Sequence, residues 1–509
     1  MLQLPAFYRS DCTDHQTNKR NRVLSFCDAT AEQFNAYCKL LQENGFFRRE
    51  ARGGFAAFQR ENDAVFLNYY EGTREFQIAT EEDCRYFDFT DQTASATVTP
   101  QITQLHLEDF GMSYTIRLSD GRFIIIDGGN NYPEDGDRLL EVLKDGSPYE
   151  KPIIAAWIMT HPHEDHFPCF FNVFDRYGEQ LKIEKFLYYF PEHDDFTHYP
   201  KLAVTNSRGE SGFMIVPEFL ERVKKSGAEV YTPHTGQIYK LGDAVCEILG
   251  SMDDTVHRSD NINAASLIIR MELGGQVILW GADASFGDAR LAERYGEYLK
   301  ADILQIPHHG FGCGDHREQI RAFDLIRPRT CLLPASDFIG FTAFSLFREG
   351  TRHLMNAPYV EEILCGEETQ TLSLPYIPSE QAKAQLQDHY RRGVAANGCT
   401  TWVFTGLNTA EKDDLEFTVL NMAYLNTTLK AEIYFEDPAR RIYFLKYHAP
   451  RWMQSSFCLT EQEGTENPPH SPLTLDKQGL PENAAFSVRF TADQPVIIFH
   501  KTHSATYKA

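Results

Sequence analysis

Apolar positions fall at helical spacing in ATAEQFNAYCKLLQENGF, where Phe34, Tyr37, Leu40 and Leu41 share one face. Thr30 stands before the run and Asn44-Gly45 after it, a start and a stop for a helix. GFAAFQRE, AVFLNYYE and EFQIATE follow, each alternating as a strand does, with turn residues between them. Residues 1–99 therefore read as a small α+β domain. From residue 100 to 380 the pattern changes to strands interleaved with helices, the signature of a layered α/β domain. SYTIRLSDGRFIIIDGG is a hairpin turning at Asp120-Gly121, and AASLIIRMELGGQVILWGAD a second one turning at Gly274-Gly275. IIAAWIM, KIEKFLYYF, ILQI and CLLP read as buried strands. DGDRLLEVLKD, VPEFLERVKKSG and ARLAERYGEYL read as helices, and NAPYVEEILCG followed by TQTLSLPY as one more helix and strand. Residues 381–509 open with a helix, SEQAKAQLQDHYRRG, and continue as short β-like runs. They form an accessory β-rich domain of sandwich type, interrupted by a polar Pro/Gly-rich loop, TEQEGTENPPHSPLTLDKQGLPEN.

The chemistry concentrates at the end of IIAAWIM. THPHEDH places His161, His163, Asp165 and His166 within six positions, at the point where a buried strand opens into a loop. His161 and His163, two apart, can point to one side, and Asp165 and His166 to a second point. Neutral imidazole and carboxylate suit a divalent metal such as zinc. Two such sites need further donors from later strand ends. WGAD offers Asp283, which could bridge both metals, and IPHHG offers His308 and His309. Structural zinc sites favour closed cysteine-rich tetrads, and only Cys169 lies near this cluster. His193, Asp194, Asp195 and His198 in PEHDDFTHYP read as a solvated loop, and Cys313 as a bystander.

H-x-H-x-D-H after a strand, a later strand ending in Gly281-Ala282-Asp283, and a still later Pro307-His308-His309-Gly310 resemble the metallo-β-lactamase superfamily. The branch they resemble is that of competence-type DNA-uptake hydrolase domains and phosphorylcholine-esterase-like relatives. That branch pairs a hairpin ending in IDGG, here Ile126–Gly129, with a later HHG, here His308–Gly310. The resemblance covers residues 100–380 and implies an αββα sandwich with two divalent metal ions, zinc first and manganese as the alternative. It implies His161, His163, Asp165, His166, Asp283 and His309 as ligands, and Asp127 as the carboxylate that orients a ligand histidine. Many superfamily members carry a further ligand histidine before the G-x-D strand, for which His234 and His257 are the candidates here. The competence-type branch lacks it and has an Asn-rich stretch, here SDNINAASL, so that Asn261 and Asn263 would face the site.

These residues imply metal-activated water. Asp165 could accept its proton, Asp283 would bridge, and His308 could hydrogen-bond a substrate oxygen or protonate a leaving group. The expected activity is hydrolysis of phosphoesters, of phosphodiester type. A carbonyl hydrolase of lactone, thioester or β-lactam type is the alternative on the same fold, and a metal-stabilised, partner-binding scaffold is the non-enzymatic one. The 509 residues carry a formal net charge of −23, which excludes binding of long polyanions through the general surface. A small-molecule or short phosphoester fits that charge better than long nucleic acid. The 11 cysteines are scattered, without a CxxC pair, which points to reduced thiols and a cytoplasmic setting. No signal peptide, membrane span or membrane partner is expected, and nothing in the sequence sets an oligomeric state.

Overall fold

The computed structural model describes residues 2–6, 12–109, 111–190, 212–255, 262–311, 315–335, 349–387, 399–421, 427–436, 443–449, 453–459, 480–493, 496–500, 503 and 505–508. The chain divides into two compact units, with one break between Pro378 and Ser379.

The first unit begins with a six-stranded antiparallel sheet. Its strands are β1 (Cys12–Gln16), β2 (Asn21–Phe26), β3 (Phe47–Arg52), β4 (Phe55–Arg60), β5 (Asp63–Tyr70) and β6 (Glu75–Glu81), in the order β1-β2-β6-β5-β4-β3. Helix α1 (Ala31–Glu43) starts where the sequence indicates. Thr30 Oγ1 accepts from the Gln33 amide while Gln33 Oε1 accepts from the Thr30 amide, a reciprocal cap. All seven residues of β6 are buried. Phe76 and Ile78 pack with α1 residues such as Phe34 and Leu41. Ala79, on the opposite face, joins the core of the sheets described next. The sequence pattern did not point to β1 or β3, whose stretches CTDHQ and FRREAR are too polar to alternate.

Two further sheets face each other across that core. The eight-stranded one contains β7 (Gln101–Gln104), β8 (Ser113–Arg117), β9 (Phe123–Asp127), β10 (Ile153–Met159), β11 (Lys182–Ile183), β12 (Lys185–Tyr188), β13 (Glu229–Tyr231) and, later in the chain, β21 (Gln370–Ser373). The seven-stranded one runs in chain order through β14 (Ile238–Leu241), β15 (Ala244–Gly250), β16 (Ile268–Leu273), β17 (Gln276–Trp280), β18 (Ile303–Gln305), β19 (Thr330–Leu333) and β20 (Glu362–Cys365). Ile124, Ile126 and Ile158 of one sheet share a core with Ile269, Ile278 and Trp280 of the other. On the outer face of the first sheet, Phe123, Ile125 and Trp157 pack with helices α2 (Pro133–Gly146) and α3 (Cys169–Tyr177). β10 is paired in parallel with both β9 and β12, which explains why it is apolar on both faces. The hairpins turn where expected, with Gly121, Gly274 and Gly275 all at positive φ.

Two sequence readings are corrected. EILC in NAPYVEEILCG is not helical but the strand β20, paired in parallel with β19; the helix lies upstream at Glu349–Asn356, ending before Pro358. The helix in ARLAERYGEYL stops at Gly296, whose φ of 50 divides it into Leu291–Tyr295 and a 3₁₀ turn.

The second unit holds a five-stranded and a three-stranded sheet. Phe404 and Phe490 of the larger sheet meet Phe417 of the smaller at ring-centroid distances of 5.1 and 4.9 Å, joining the two faces. The helix expected in SEQAKAQLQDHYRRG is described only over Glu380–Gln385, and positions 460–479 of the Pro/Gly-rich loop lie outside the described residues. Among the described residues, no helix is long and apolar enough to cross a membrane.

Candidate metal centre

Four strand ends build the site: β9 delivers Asp127, β10 delivers the THPHEDH loop, β17 delivers Asp283, and β18 delivers His308 and His309. Convergence outside the carboxyl ends of parallel strands is where α/β layers place their chemistry. The THPHEDH loop is held through its own backbone. The Gly128 and Gly129 amides both donate to the His166 carbonyl, at 2.5 and 2.8 Å, and the Met112 amide donates to the Asp165 carbonyl at 3.0 Å. Gly129 is required here, since its φ is +86 and a Cβ would lie 2.8 Å from Leu107 Cδ1. Asp127, Ala282, His308 and His309 all take left-handed φ between 46 and 55. Each costs about 1–2 kcal/mol for a non-glycine residue, and strain of that kind collects at functional sites.

The donor atoms form two groups that share Asp283. In the first, His161 Nε2 lies 3.1 Å from His163 Nδ1 and 3.9 Å from Asp283 Oδ2. In the second, His309 Nε2 lies 3.0 Å from Asp165 Oδ2 and 3.5 Å from Asp283 Oδ1, and His166 Nε2 lies 3.2 Å from Asp283 Oδ1 and 3.8 Å from Asp165 Oδ2. A tetrahedron of zinc–nitrogen and zinc–oxygen bonds has edges of about 3.3–3.6 Å, and the second group is spaced on that scale. The donor set therefore fits divalent metal ions.

Outer partners orient the imidazoles of His161, His166 and His309. Asp127 Oδ2 accepts from His166 Nδ1 at 2.7 Å, and the Pro334 carbonyl accepts from His309 Nδ1 at 2.8 Å. Thr160 Oγ1 donates to Asp127 Oδ2 at 2.7 Å and so is left to accept from His161 Nδ1 at 3.1 Å. With these Nδ1 protons committed outward, Nε2 is the atom that His161, His166 and His309 turn toward the carboxylates. His166 Nε2 has no hydrogen bond of good geometry, although it is fully buried. The site demands positive charge. Burial opposes a charged imidazole at His309, but the Asp283 and Asp165 carboxylates outweigh it and hold His309 up at about 10. His166, likewise buried, is raised well above the ordinary histidine value by Asp283, Asp165 and Asp127. Burial, by contrast, pushes His163 down to about 4, and drives His161 well down with help from the neighbouring histidines. Asp283 stays ionised against its burial because His166 and His309 face it.

The structure thus brings together His161, His163, Asp165, His166, Asp283 and His309, with Asp127 behind His166. His308 stands at the edge, 27% exposed, 3.9 Å from Asp283 Oδ2, with Asn263 Nδ2 3.3 Å from its Nε2. His234 is elsewhere: it is fully buried between Asp253 and Glu81 and contributes no donor to either group. His257, Asn261, His193, Asp194, Asp195, His198 and Cys313 lie outside the described residues. Sequence reasoning missed Gln305 and Ser266. Buried Gln305 accepts from the Gly281 amide and donates to the Ala282 carbonyl, while Ser266 Oγ accepts from the Asp283 amide at 3.3 Å. A lone glutamine inside the apolar run ILQI was the available signal. A third group, Asp414, His500 and His503, lies in the second unit. There the His503 amide donates to His500 Nδ1 and the Asn408 amide to Asp414 Oδ2, so backbone amides occupy two of its acceptors.

No protein-family model and no curated protein matches the sequence. Among solved structures, the chain is similar to the metallo-β-lactamase fold protein YhfI from Bacillus subtilis, at 14% identity and a TM-score of 0.34, over 54% of this chain and 100% of that one. It is similar to Igni18, a metallo hydrolase from the hyperthermophilic archaeon Ignicoccus hospitalis KIN4/I, at 14% identity and a TM-score of 0.32, over 54% of this chain and 99% of that one. CmlA, a diiron β-hydroxylase from Streptomyces venezuelae, also matches at 14% identity and a TM-score of 0.32, over 55% of each chain. The first of these is a distant structural similarity to a metallo-β-lactamase fold protein over about half of the chain.

Proposed function

We propose that this chain is a metal-dependent hydrolase that activates water at a dinuclear centre and acts on phosphoesters of phosphodiester type. The observation that carries the reading is the Asp283 carboxylate, with Oδ1 turned to His166 and His309 and Oδ2 turned to His161. One carboxylate shared in this way sets two donor groups side by side. His161, His163 and Asp283 would hold one cation, and Asp165, His166, Asp283 and His309 the other. Two zinc ions, or manganese in their place, would supply Lewis acidity and a water of lowered pKa.

The remaining steps fall to the protein. Asp127 and the Pro334 carbonyl keep His166 and His309 aimed inward. Asp165 is held ionised against its burial by His166 and His309, which suits it to ligate a cation and makes it a weak proton acceptor. His308 stands at the edge of the centre with Asn263 Nδ2 3.3 Å from its Nε2, a place from which it could hydrogen-bond a substrate oxygen or protonate a leaving group. The first donor group has no third histidine among the described residues, since His234 is engaged elsewhere. The resemblance to the competence-type branch, which lacks that further histidine, supports the phosphoester over the carbonyl reading. The charge of −23 favours a short ester over long nucleic acid.

The test is turnover of bis-p-nitrophenyl phosphate and p-nitrophenyl phosphorylcholine with zinc or manganese, beside lactone and thioester probes. Phosphodiester turnover that disappears in Asp283→Ala is expected. Turnover of the lactone or thioester alone would replace the phosphoester reading, and none on any probe would overturn the hydrolase.

A further inference from the structure

β6 carries a glutamate at each end, Glu75 and Glu81, six positions apart and so on the same face of the strand. Each meets a buried cation. Arg294 donates from Nε and Nη2 to Glu75 Oε2 at 3.2 and 3.1 Å, and His234 Nε2 lies 3.5 Å from Glu81 Oε2. Each cation reaches on to one of two consecutive aspartates: Arg294 Nη1 donates to Asp254 Oδ1 at 2.6 Å, and His234 Nδ1 lies 2.8 Å from Asp253 Oδ2. All six side chains are at most 4% exposed. The N-terminal sheet thus grips the segment 251–255 at two points.

That segment leads toward the metal centre. Met252 packs with Ala265 and with Tyr189, whose hydroxyl pairs with Thr17 Oγ1 at 2.6 Å. Ala265 belongs to the 3₁₀ turn Ile262–Ala265. Asn263 of that turn reaches His308, the next residue, Ser266, accepts from the Asp283 amide, and the Leu267 amide donates to the carbonyl of Thr160, just before His161. Every contact in this series belongs to the first unit.

We infer that Glu75, Glu81, His234 and Arg294 are positioning residues of the metal centre, which fix the 262–267 segment and through it Asp283 and His308. The N-terminal sheet is then a working part of the site rather than an appended wall. The inference rests on the metal-centre reading for its purpose but not for its mechanics, because the two bridges order the segment whether or not a cation is bound. Removing one member of a buried charge series leaves its partners unpaired, and the segment they hold loosens.

Hydrogen exchange on the metal-free, full-length chain tests this. The variants are Arg294→Met, Arg294→Lys and the near-isosteric Glu81→Gln, each read at a fixed margin below the Tm of its own first unit. Leu41→Ala, in the core between α1 and the far face of the same sheet, controls for general loss of stability. Exchange over 262–267 is expected to rise on the order of tenfold or more in Arg294→Met, to rise in Glu81→Gln, to recover in part in Arg294→Lys, and to stay at the wild-type level in Leu41→Ala. Unchanged exchange in both Arg294→Met and Glu81→Gln, or an equal rise in Leu41→Ala, would overturn the inference. Zinc loss to a chelator, measured on the same proteins, is expected to quicken in step. A wild-type chain that holds no zinc would contradict the metal centre and leave the exchange result to stand or fall by itself.

Discussion

At the scale of single residues, protons and any bound cation would compete for the same lone pairs. His309 holds its proton up to about 10 only because two carboxylates face it. A cation must displace that proton and the one on His166. Metal binding is therefore expected to release protons and to tighten as pH rises toward 10. Calorimetry in buffers of different ionisation heat measures the release, and zero release would contradict the assignment of His166 and His309 as ligands. In the metal-free chain the sign reverses. A histidine raised in the folded state adds stability that is full below its ordinary value and is lost as pH climbs through its folded value, here about 10. Asp127→Asn keeps the shape but loses the charge behind His166, and is expected to weaken metal binding roughly 10–100-fold, read by competition with a chelator. The ligand-type residues were legible because their spacing is local, with four of them within six positions. Gln305, Ser266 and the Pro334 carbonyl were not, because what each does is set by the residue it meets across the fold.

At the scale of elements, strand ends carry the design. The Gly128 and Gly129 amides bind the His166 carbonyl, so the end of β9 holds the loop that follows β10. Gly129→Ala would force an L-residue to a φ of +86 and press its Cβ onto Leu107. It is expected to cost at least about 1–2 kcal/mol in denaturant unfolding and to weaken metal binding with it. An alanine that unfolds and binds like wild type would show that the glycine pair does not hold the loop. Elements with a strong apolar pattern, such as β9, β10 and the hairpin of β16 and β17, could be placed from sequence. β20 could not, because EEILC fits a helix as well as a strand and only its pairing with β19 decides. β1 and β3 are sheet edges, where side chains are wetter and the alternation fades.

At the scale of the whole molecule, two compact units imply that a single unfolding transition is not expected. Calorimetry should resolve two, and a chelator should lower only the one belonging to the first unit, since ligands stabilise only the state that binds them. A chelator shift in both would contradict that assignment. The two glutamates of β6 show why this scale was least legible. Nothing local marks Glu75 and Glu81, and their meaning comes from Arg294 and His234, more than 150 positions away. Asp283 joins the two donor groups. Metal content per chain, after chelation and reloading with zinc, measures that sharing for wild type and Asp283→Ala. Close to two ions on the wild type and clearly fewer on the variant are expected. A wild type that never exceeds one ion, or an Asp283→Ala that still holds both, would contradict it.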